Sequence, residues 1–441
     1  MSHEISRRAF VRAASTTAAA GAYVFGTLGT ARAAEEAATR RIVVGVMGVA
    51  GRGADLARGF ARTPGVVVKY LCDVDAAVIA KPLAAATTQP AGAVLGSKPE
   101  GVADFRRILD DKEVDALVVA APDHWHAPAT ILACSAGKHV YVEKPCSHNA
   151  AEGEMAVAAA RKHDRVVLQG TQRRSWPKVI EAVEKVRAGA IGNVHFARGW
   201  YAAARTTIGK GKEVPVPANL NYDLWQGPAP RRPYRDNMIH YKWHWFWHWG
   251  SGELGNNGVH SIDVCRWALG VDYPKRVTAG GARYHFAGDD QETPDTMATT
   301  FDFGDKMIAW EGRSCAPGAL DGTGYGMAFH GEAGSIIVLE NGYVQYDAKN
   351  KEVLKVPDVR GSGGDAGHLR HFADCVRGLA KPNADIAEAH KSTLLCHLGN
   401  IAWRSGQTIN CDPKTGRMVG AGKEADALWG REYEKGWEPK V

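Results

Sequence analysis

The stretch IVVGVMGVAGRG at residues 42–53 decides the fold. Ile42–Met47 is an apolar run with the length of a buried strand, and a glycine-rich turn, Gly48–Gly53, leads from it into a helical pattern. A strand, a glycine turn and a helix in this order are typical of dinucleotide-binding units. Taken alone, the order also fits a tight strand-to-helix turn that binds nothing.

The glycine turn departs from the usual G-x-G-x-x-G spacing at one position. Ala50 stands where the second glycine lets the backbone approach a pyrophosphate, and Gly51 beside it relieves part of that crowding. The amides at the start of the following helix are suited to phosphate oxygens. The residues predicted to contact the dinucleotide here are Gly48, Ala50, Gly51, Arg52 and Gly53.

A carboxylate follows the next apolar run at the expected distance. Asp73 stands twenty positions after Gly53, where an acidic side chain accepts hydrogen bonds from the adenosine ribose. Because a 2′-phosphate would meet a like charge there, Asp73 favours NAD over NADP, although Arg52 could offset part of the repulsion. The alternative is that Asp73 only caps the helix that begins near Asp75.

The remaining pattern predicts an α/β protein of two domains. Short apolar runs alternate with helical periods over residues 41–170, which predicts a parallel sheet wrapped by helices. Over residues 171–405 strands follow one another through turns such as Gly304-Asp305, which predicts a large, mostly antiparallel sheet, and residues 406–441 form a polar tail. The predicted strands are Ile42–Met47, Val66–Leu71, Ala116–Ala120, His139–Val142 and Val166–Leu168, then Val194–Tyr201, Arg276–Phe286, Thr296–Phe303, Met307–Arg313, Ser335–Leu339 and Tyr343–Tyr346.

Two predicted strands of the parallel sheet end in polar clusters. Residues 122–126 (PDHWH) and 143–145 (EKP) should meet at the carboxyl edge of the sheet, where ligands bind. A lysine whose pKa is lowered by burial can take the proton that an alcohol must lose when it is oxidised. From these clusters we expect cofactor contacts at Pro122, His124, His126, Glu143 and Lys144.

These motifs together resemble the Gfo/Idh/MocA oxidoreductases. The glycine turn, PDHWH, AGKHV at residues 136–140 and EKP carry the resemblance, which extends over residues 41–405. It implies a Rossmann domain, a second α/β domain that binds substrate and builds homo-oligomers, and action on sugars or cyclitols. By this resemblance Lys144 is the lysine that touches the substrate hydroxyl, while Glu143 orients Lys144 or faces the nicotinamide ribose.

The resemblance also places a second part of the site at residues 252–260. His260 matches the family's histidine, a proton shuttle or hydroxyl ligand, and the position four residues earlier, often Asp in the family, is Asn256 here. Asparagine binds a hydroxyl but cannot relay a proton, so we expect Lys144 and His260 to share the acid–base work. A backbone-satisfied histidine at a helix start is the alternative for His260, and Asp263 is expected to pair with Arg266 or the chain near it.

The aromatic-rich insertion from Arg205 to Trp249 is predicted to be a long loop that forms a wall rather than part of the core. Its histidines at 240, 244 and 248 alternate with tryptophans, which favours a segment that does not align them on one helical face, so we predict no metal site. A sugar-binding wall and a hydrophobic packing strip both remain open. The candidate substrate residues are Arg173, Tyr201, Tyr241, Lys242, Trp247 and His260.

Residues 1–33 read as a twin-arginine signal peptide. Ser6–Val11 carries the Arg7-Arg8 pair, an apolar small-residue stretch follows, and Ala31–Ala33 has the pattern of a cleavage site. This predicts the export machinery as a partner and a periplasmic or otherwise extracytoplasmic location, without stable membrane insertion. Since free NAD is a cytosolic metabolite, an exported enzyme would hold its cofactor tightly and recycle it in the same site.

Composition excludes few other classes of protein. The 441 residues carry a net charge of +6, and the chain after residue 33 carries +3 with interspersed signs, which argues against a nucleic-acid partner. The eight cysteines include no Cys-x-x-Cys pair and read as buried thiols, with a disulfide still possible in an oxidising compartment.

The sequence therefore predicts an exported oxidoreductase that uses NAD, with NADP less favoured, on a carbohydrate or cyclitol hydroxyl. Two alternatives stay open. One is a redox-neutral, NAD-dependent glycosidase, lyase or epimerase, in which transient ketone formation acidifies a neighbouring C–H. The other is a non-catalytic periplasmic sugar-binding protein, for which Ala50 and Asn256 are the best indications.

Overall fold

The computed structural model describes residues 39–80, 98–340, 342–357 and 364–441. The signal peptide predicted at residues 1–33 lies outside these ranges, as does most of the poorly patterned stretch at residues 90–99. The first sheet consists of β1 (Ile42–Met47), β2 (Val66–Cys72), β3 (Glu100–Val102), β4 (Ala116–Val119), β5 (His139–Val142) and β6 (Val167–Gln169).

All strands of the first sheet run parallel, in the order β3-β2-β1-β4-β5-β6. The order reverses between β1 and β4, and the carboxyl ends on either side of such a reversal form a crevice where ligands bind. The connections include α1 (Arg52–Ala61), α2 (Arg106–Asp110), α3 (Asp123–Ser135) and α4 (Ala150–Lys162). Every residue of β1 is buried, as expected for a central strand covered on both faces.

Helix α3 begins at Asp123 and contains Pro128 in its interior. Proline lacks the N–H that would bond to the carbonyl of His124, four residues earlier. The guanidinium of Arg431 donates to that carbonyl at 2.7 Å, so the helix continues through the proline without an unsatisfied acceptor.

The second sheet has nine strands. They are β7 (Val194–Ala202), β8 (Arg276–Ala282), β9 (Thr296–Asp302), β10 (Met307–Arg313), β11 (Tyr325–Gly331), β12 (Gly334–Val338), β13 (Tyr343–Asp347), β14 (Glu352–Val356) and β15 (Ile409–Asn410). Their order is β14-β13-β12-β11-β7-β10-β9-β8-β15, and only β7 and β10 pair in parallel. The predicted α/β fold, with a parallel sheet followed by a mostly antiparallel one, is confirmed.

Helices cover one face of the second sheet. These are α5 (Pro177–Arg187), α7 (Val259–Leu269) and α9 (Ile386–Ser405), and their apolar side chains share one core with the sheet. Helix α6 (Tyr222–Gln226) belongs to the aromatic insertion. Helix α8 (Gly364–Val376) instead returns to the first sheet, where Phe372 packs against Phe60 and Tyr141.

The insertion is more than the predicted loop wall. Its apolar side chains form a small core of their own, which orders the segment although it contains little regular structure. Large aromatic side chains supply most of the buried area that a short segment needs in order to hold one conformation. The core comprises Ile208, Leu220, Tyr222, Trp225, Ala229, Met238, Trp243, Trp245, Phe246 and Trp249.

The predicted polar tail also packs against the body of the protein. Ile409, Cys411 and Ala425 are buried, with Ala425 in helix α10 (Lys423–Ala427), and Trp437 meets Trp125 edge to face at 5.3 Å between ring centroids. All eight cysteines are free thiols, and seven of them are buried. In the described part of the chain no helix is both long and apolar enough to cross a bilayer.

Candidate active site

A cleft of about 430 Å³ opens at the carboxyl edge of the first sheet. We call it the main cleft. Its floor is the turn after β1 together with the ends of β4 and β5, and the insertion and the entry to α7 form its opposite wall. The fold thus brings the glycine turn, the two strand-end clusters and the segment before His260 to one place, as the sequence predicted.

The glycine turn has the shape of a phosphate cradle. Gly48 has φ +83, and a Cβ there would lie 2.7 Å from the carbonyl oxygen of Ala120. A Cβ on Gly53 would collide with the carbonyl of Gly48 at 1.7 Å, so Gly53 permits close packing of α1 on β1. Ala50 lines the main cleft, and a Cβ on Gly51 would meet no atom within 4 Å. Since the first amides of a helix have no partner within it, this turn fits a pyrophosphate despite Ala50.

Asp73 follows the end of β2 and lines the same cleft. Its two carboxylate oxygens accept the amides of Val49 at 2.8 Å and Asp75 at 3.0 Å, so Asp73 ties the glycine turn to the start of the next segment. Burial raises the pKa of Asp73, partly offset by these two amide bonds. The helical turn that starts at Ala76 is capped by Asp75, whose Oδ1 accepts the Ala77 amide at 2.8 Å, so Asp73 is not the helix cap. The carboxylate oxygens of Asp73 have lone pairs left for a ribose hydroxyl.

Arg52 ties the turn to distant parts of the chain. Its Nε donates to buried Glu143 at 2.8 Å and its second nitrogen, Nη1, to Asp365 of α8 at 2.7 Å. A side chain at Gly170 would collide with the Glu143 carboxylate, whose oxygens lie within 3.0 Å of the Cβ position. Glu143 is therefore an anchor for Arg52 at the edge of the cleft, and it also accepts the Lys144 amide at 3.2 Å.

Lys144 lies at the centre of the wall where the two domains meet. Its Nζ donates to the backbone oxygen of Asn256 at 2.7 Å and to the Oδ1 of the same residue at 3.0 Å. Burial lowers the pKa of Lys144, opposed by the carboxylates of Glu143, Asp123 and Glu253. A lysine held in this way at a cleft wall can exchange a proton nearer to neutral pH than a surface lysine can.

Asn256 and His260 enter the cleft from an irregular helical turn and from the start of the helix that follows it. Residues Leu254–Gly258 form a π-helical turn directly before α7, a feature that is frequent at functional sites. The Nδ2 of Asn256 and the Nδ1 of His260 are buried without a hydrogen-bond partner among the described residues. Burial, with Lys144 and Arg173 nearby, holds the pKa of His260 well below its usual value. A neutral imidazole and an amide with free polar atoms are thus available to a ligand.

The structure separates the two histidines of the PDHWH segment. Both ring nitrogens of His126 face carbonyl oxygens, of Pro145 at 2.5 Å and Ala121 at 2.7 Å, so the residue holds the Lys144 loop while it lines the main cleft with Pro122. His124 does not line the cleft; it is fully buried, and its Nε2 bonds to the carbonyl of Trp225 at 2.9 Å. The prediction of a cofactor contact at His124 fails because the insertion covers that face of α3.

The insertion contributes six residues to the lining of the main cleft: Leu224, Trp225, His240, Tyr241, Trp243 and His244. His240 bonds to Asp75 at 2.9 Å, His244 to the carbonyl of Tyr241 at 2.6 Å, and His248 to the carbonyl of Pro230 at 2.8 Å. The three histidines thus face separate partners, and among the described residues no group of His, Cys, Asp or Glu is arranged to hold a metal. Burial lowers the pKa of His244 to about 3, with the charges of Lys144 and Arg205 adding to the effect.

Four predicted substrate residues lie outside the lining of the main cleft. Trp247 lies in a separate cavity, described below. Arg173 is buried behind His260, with its guanidinium between the rings of Trp176 and Tyr325. Tyr201 contacts Arg205 and Tyr325, and Lys242 donates to the carbonyl of Ile208 at 3.3 Å. Of the five tryptophans in the insertion, all but Trp247 belong to its core, as the packing alternative proposed, and Trp225 and Trp243 also line the main cleft.

Asp123 and Gln172 are two polar cleft residues that were not predicted from the sequence. Asp123 is buried, accepts the hydroxyl of Ser251 at 2.5 Å and has its pKa raised by burial. Gln172 enters the cleft from the short 3₁₀ turn after β6. Asp123 stands inside the PDHWH motif, so its position was available as a signal. Gln172 has no motif that distinguishes it.

Asp263 is structural as expected, but its partner is Arg174, through two bonds of 2.8 Å, and not Arg266.

Two family models match most of the described chain. Residues 40–171 match the model of an oxidoreductase family, NAD-binding Rossmann fold (GFO_IDH_MocA). Residues 195–438 match the model of an oxidoreductase family, C-terminal alpha/beta domain (GFO_IDH_MocA_C2).

Curated proteins match over shorter stretches. A glycosyl hydrolase family 109 protein of Saccharopolyspora erythraea is 32% identical over 158 residues, which is 36% of this chain and 34% of that protein. Levoglucosan dehydrogenase of Pseudarthrobacter phenanthrenivorans is 28% identical over 168 residues, 38% of this chain and 34% of that enzyme. The match thus spans about a third of the length of each relative.

A solved structure agrees over a larger share of the fold. The WlbA dehydrogenase of Bordetella pertussis, in complex with NADH and UDP-GlcNAcA, superposes with a TM-score of 0.64 at 18% identity. The superposition covers 85% of this chain and 99% of that one. At 18% identity, this similarity shows a shared fold and nothing about activity.

Proposed function

The chain belongs to the Gfo/Idh/MocA oxidoreductase family, and on that premise we propose that it is an NAD-dependent oxidoreductase acting on a hydroxyl group of a carbohydrate or cyclitol. The observation that carries the proposal is the position of Lys144, whose Nζ is held by Asn256 in the same cleft as the glycine turn and His260. The levoglucosan dehydrogenase relative supports a sugar-type substrate.

The residues present fit the cofactor. Gly48, Gly51 and the first amides of α1 would hold the pyrophosphate, and Asp73 would accept the ribose hydroxyls. When bound, NAD supplies the hydride acceptor for the oxidation. Because Asp73 carries a charge that repels a 2′-phosphate, the proposed preference is for NAD over NADP.

Lys144 acts as the proton acceptor in this mechanism. In its neutral form the amine takes the proton of the substrate hydroxyl, and its lowered pKa increases the neutral fraction at physiological pH. The Oδ1 of Asn256 fixes the direction of Nζ, and the free Nδ2 can donate to a substrate hydroxyl. His260, neutral with an unpartnered Nδ1, binds a second hydroxyl or passes a proton onward.

A redox-neutral reaction is the second candidate. The observation that favours it is the match to a glycosyl hydrolase family 109 protein, at 32% identity over residues that include part of the same fold. In that reaction a transient ketone would acidify a neighbouring C–H before elimination or epimerisation, and the oxidised and reduced cofactor would alternate within one turnover.

Incubation of the purified protein with candidate sugars, singly and in pairs, tests the two reactions. Net oxidation predicts a lasting absorbance of reduced nicotinamide with one sugar, reversed by a second sugar if exchange occurs. A cleaved or epimerised product without net reduction supports the redox-neutral reaction. Protein that binds sugar but neither takes up a dinucleotide nor changes the sugar would show the non-catalytic alternative.

We further propose that the protein is exported and carries its cofactor with it. The support is the Arg7-Arg8 motif with the apolar stretch and Ala31–Ala33 after it. A tightly held NAD, reoxidised in the same site, follows from a compartment that lacks free dinucleotide. Fractionation of cells that express the chain or its Arg7→Lys, Arg8→Lys variant should place only the unaltered protein outside the cytoplasm, and equal cytoplasmic retention of both would contradict export.

Homo-oligomer formation is also a proposal. In β9 and β10 buried side chains alternate with more exposed ones, among them Met307, so the face of the sheet away from the helices offers a surface for a second copy. Light scattering on the purified protein should give a mass that is a multiple of 47.4 kDa, less the signal peptide if it has been removed, and a monomer at all concentrations would contradict this.

A further inference from the structure

A second cavity of about 400 Å³ shares no lining residue with the main cleft. We call it the arginine pocket. It lies between the N-terminus of α4, the end of the insertion, α9 and residues 427–432. Trp247, predicted as a substrate residue, lies on its wall, so one part of the aromatic insertion lines a cavity other than the proposed catalytic site.

Positive charge dominates the lining of the arginine pocket. Four arginines, Arg231, Arg232, Arg404 and Arg431, face one lining carboxylate, Glu432. Other carboxylates border this wall: buried Glu152 pairs with Arg431 at 2.7 Å, Glu292 acts on Arg404 and accepts the Trp247 amide, and Glu434 accepts the Arg231 amide at 3.2 Å. Exposed Asp223 pairs with Arg231 at 2.7 Å. The lining itself carries a net charge of +3.

Buried donors without a protein partner surround the arginine pocket. Asn149 is only 6% exposed; its Oδ1 caps α4 by accepting the Glu152 amide, and its Nδ2 has no partner among the described residues. Two nitrogens of Arg431, Nε and Nη1, are also buried without a hydrogen-bond partner among the described residues. Since a buried donor without a partner costs free energy, such a set points to a ligand that accepts hydrogen bonds.

His148 offers the ligand a hydrogen-bond acceptor, whereas the arginines and Asn149 offer donors. Burial and the charge of Arg431 hold its pKa well below the usual value, so the ring is neutral. Its Nε2 donates to the carbonyl of Trp247 at 2.9 Å, which leaves the buried and unpartnered Nδ1 as an acceptor. An acceptor beside cationic donors suits a ligand that carries a hydroxyl group as well as an anionic group.

We propose that the arginine pocket is a second ligand site, specific for a small hydroxylated anion such as a sugar acid or a sugar phosphate. The arginines and Asn149 bind the carboxylate or phosphate, and His148 accepts a hydroxyl. The volume is in the range of small-molecule sites. Ser251 connects the two cavities, because it lines the arginine pocket and its hydroxyl bonds to Asp123 of the main cleft.

Calorimetric titration of the NAD-saturated protein tests this site. The probes are glucuronate, glucose 6-phosphate and inorganic phosphate, with glucose as the neutral comparison. We expect glucuronate, glucose 6-phosphate or both to bind saturably and more tightly than inorganic phosphate and glucose. Binding of only one of the two anions identifies the anionic group. If neither anion binds, or if inorganic phosphate binds as tightly as both, the proposal is wrong.

Three variants locate the binding. Asn149→Asp keeps the helix cap but replaces the free donor with a negative charge, and Arg404→Gln removes one cation at the rim; each should weaken binding about tenfold or more. Asn221→Asp is the matched control, because Asn221 caps α6 in the same way outside the pocket. Unchanged affinity in both pocket variants, with normal folding, would overturn the assignment.

Discussion

At the residue scale, the account depends on the proton chemistry of Lys144. Lys144→Ala is expected to lower the rate of sugar oxidation by a factor of about 10²–10⁴, the usual contribution of a positioned acid or base, while NAD affinity changes little. Single-turnover absorbance and a dinucleotide titration measure the two quantities. Lys162→Ala, an exposed lysine at the end of α4, is the control. Near-normal turnover by Lys144→Ala would remove the lysine from the mechanism.

The pH dependence of oxidation follows from the direction of the Lys144 shift. Because the neutral amine accepts the proton, kcat/KM should rise with pH, with a midpoint below 10.5, the ordinary value for lysine. Asn256→Asp places a carboxylate beside Nζ, which stabilises the ammonium and should move the midpoint upward by about one to three pH units. Overlapping pH profiles for the two proteins would contradict the assigned contact.

Asp73 provides a test of cofactor choice. Asp73→Asn removes the charge but keeps one oxygen for an amide of the turn, so NADP affinity relative to NAD should rise by about tenfold. Titration with both dinucleotides measures the ratio, and thermal unfolding checks that the turn remains intact. An unchanged ratio would show that Asp73 only holds the glycine turn in place through the Val49 and Asp75 amides.

Sequence reasoning identified the residues whose positions a motif fixes. Lys144 follows directly from the end of a strand, and His260 from the start of a helix, so local sequence places both. His124 and Trp247 could not be assigned in this way, because the face they present depends on how the insertion packs against α3 and α9. That packing is set by contacts between residues about 100 positions apart, such as His124 with Trp225.

At the element scale, α8 is an unexpected part of the nucleotide-binding domain. It comes after β14 of the second sheet in sequence, yet Phe372 is fully buried against the first sheet. Phe372→Ala should lower the free energy of unfolding by about 3–5 kcal/mol, the usual cost of removing a buried ring. Arg370→Ala, exposed on the same helix, should change it by less than about 0.5 kcal/mol. Denaturant unfolding compares the two, and similar stabilities would contradict the docking of α8.

Strands with clear alternation were predicted to the residue, as for Met307–Arg313, and others were not. The predicted strand Arg276–Phe286 ends at Ala282, because the carboxylate of Asp295 takes the next backbone amides in place of a strand partner. Tyr325–Gly331 was missed because its glycines lower the strand signal. Its position between β7 and β12 comes from pairing across the sheet, which local propensity does not record.

At the scale of the whole molecule, the final residues join the two domains. Arg431 pairs with Glu152, which is fully buried, and also satisfies the carbonyl that Pro128 leaves free in α3. Arg431→Ala should cost about 3–5 kcal/mol of stability, because it removes the cationic partner of the buried Glu152 carboxylate. Lys440→Ala, exposed at the same end of the chain, should be neutral within about 0.5 kcal/mol. Equal melting temperatures would show that the tail does not support the fold.

The same long-range packing explains why the sequence predicted a polar tail. The segment has few apolar residues and no strong period, so nothing local indicates that Ile409 and Ala425 are buried. The sheet class of each domain was predictable because alternating runs and glycine turns recur along the chain. The arginine pocket was not predictable, since its lining comes from five separate stretches of the sequence.

One measurement tests the central claim, that Lys144 takes a proton from a sugar hydroxyl beside a bound NAD, most directly. Protein purified from the compartment in which it resides is mixed with single sugars, and the absorbance of reduced nicotinamide is followed for the unaltered chain and for Lys144→Ala. The account predicts that at least one sugar or cyclitol produces this band in the unaltered protein alone, without added cofactor. A protein that contains no dinucleotide and takes none up, or a variant that reduces it equally fast, would contradict the account.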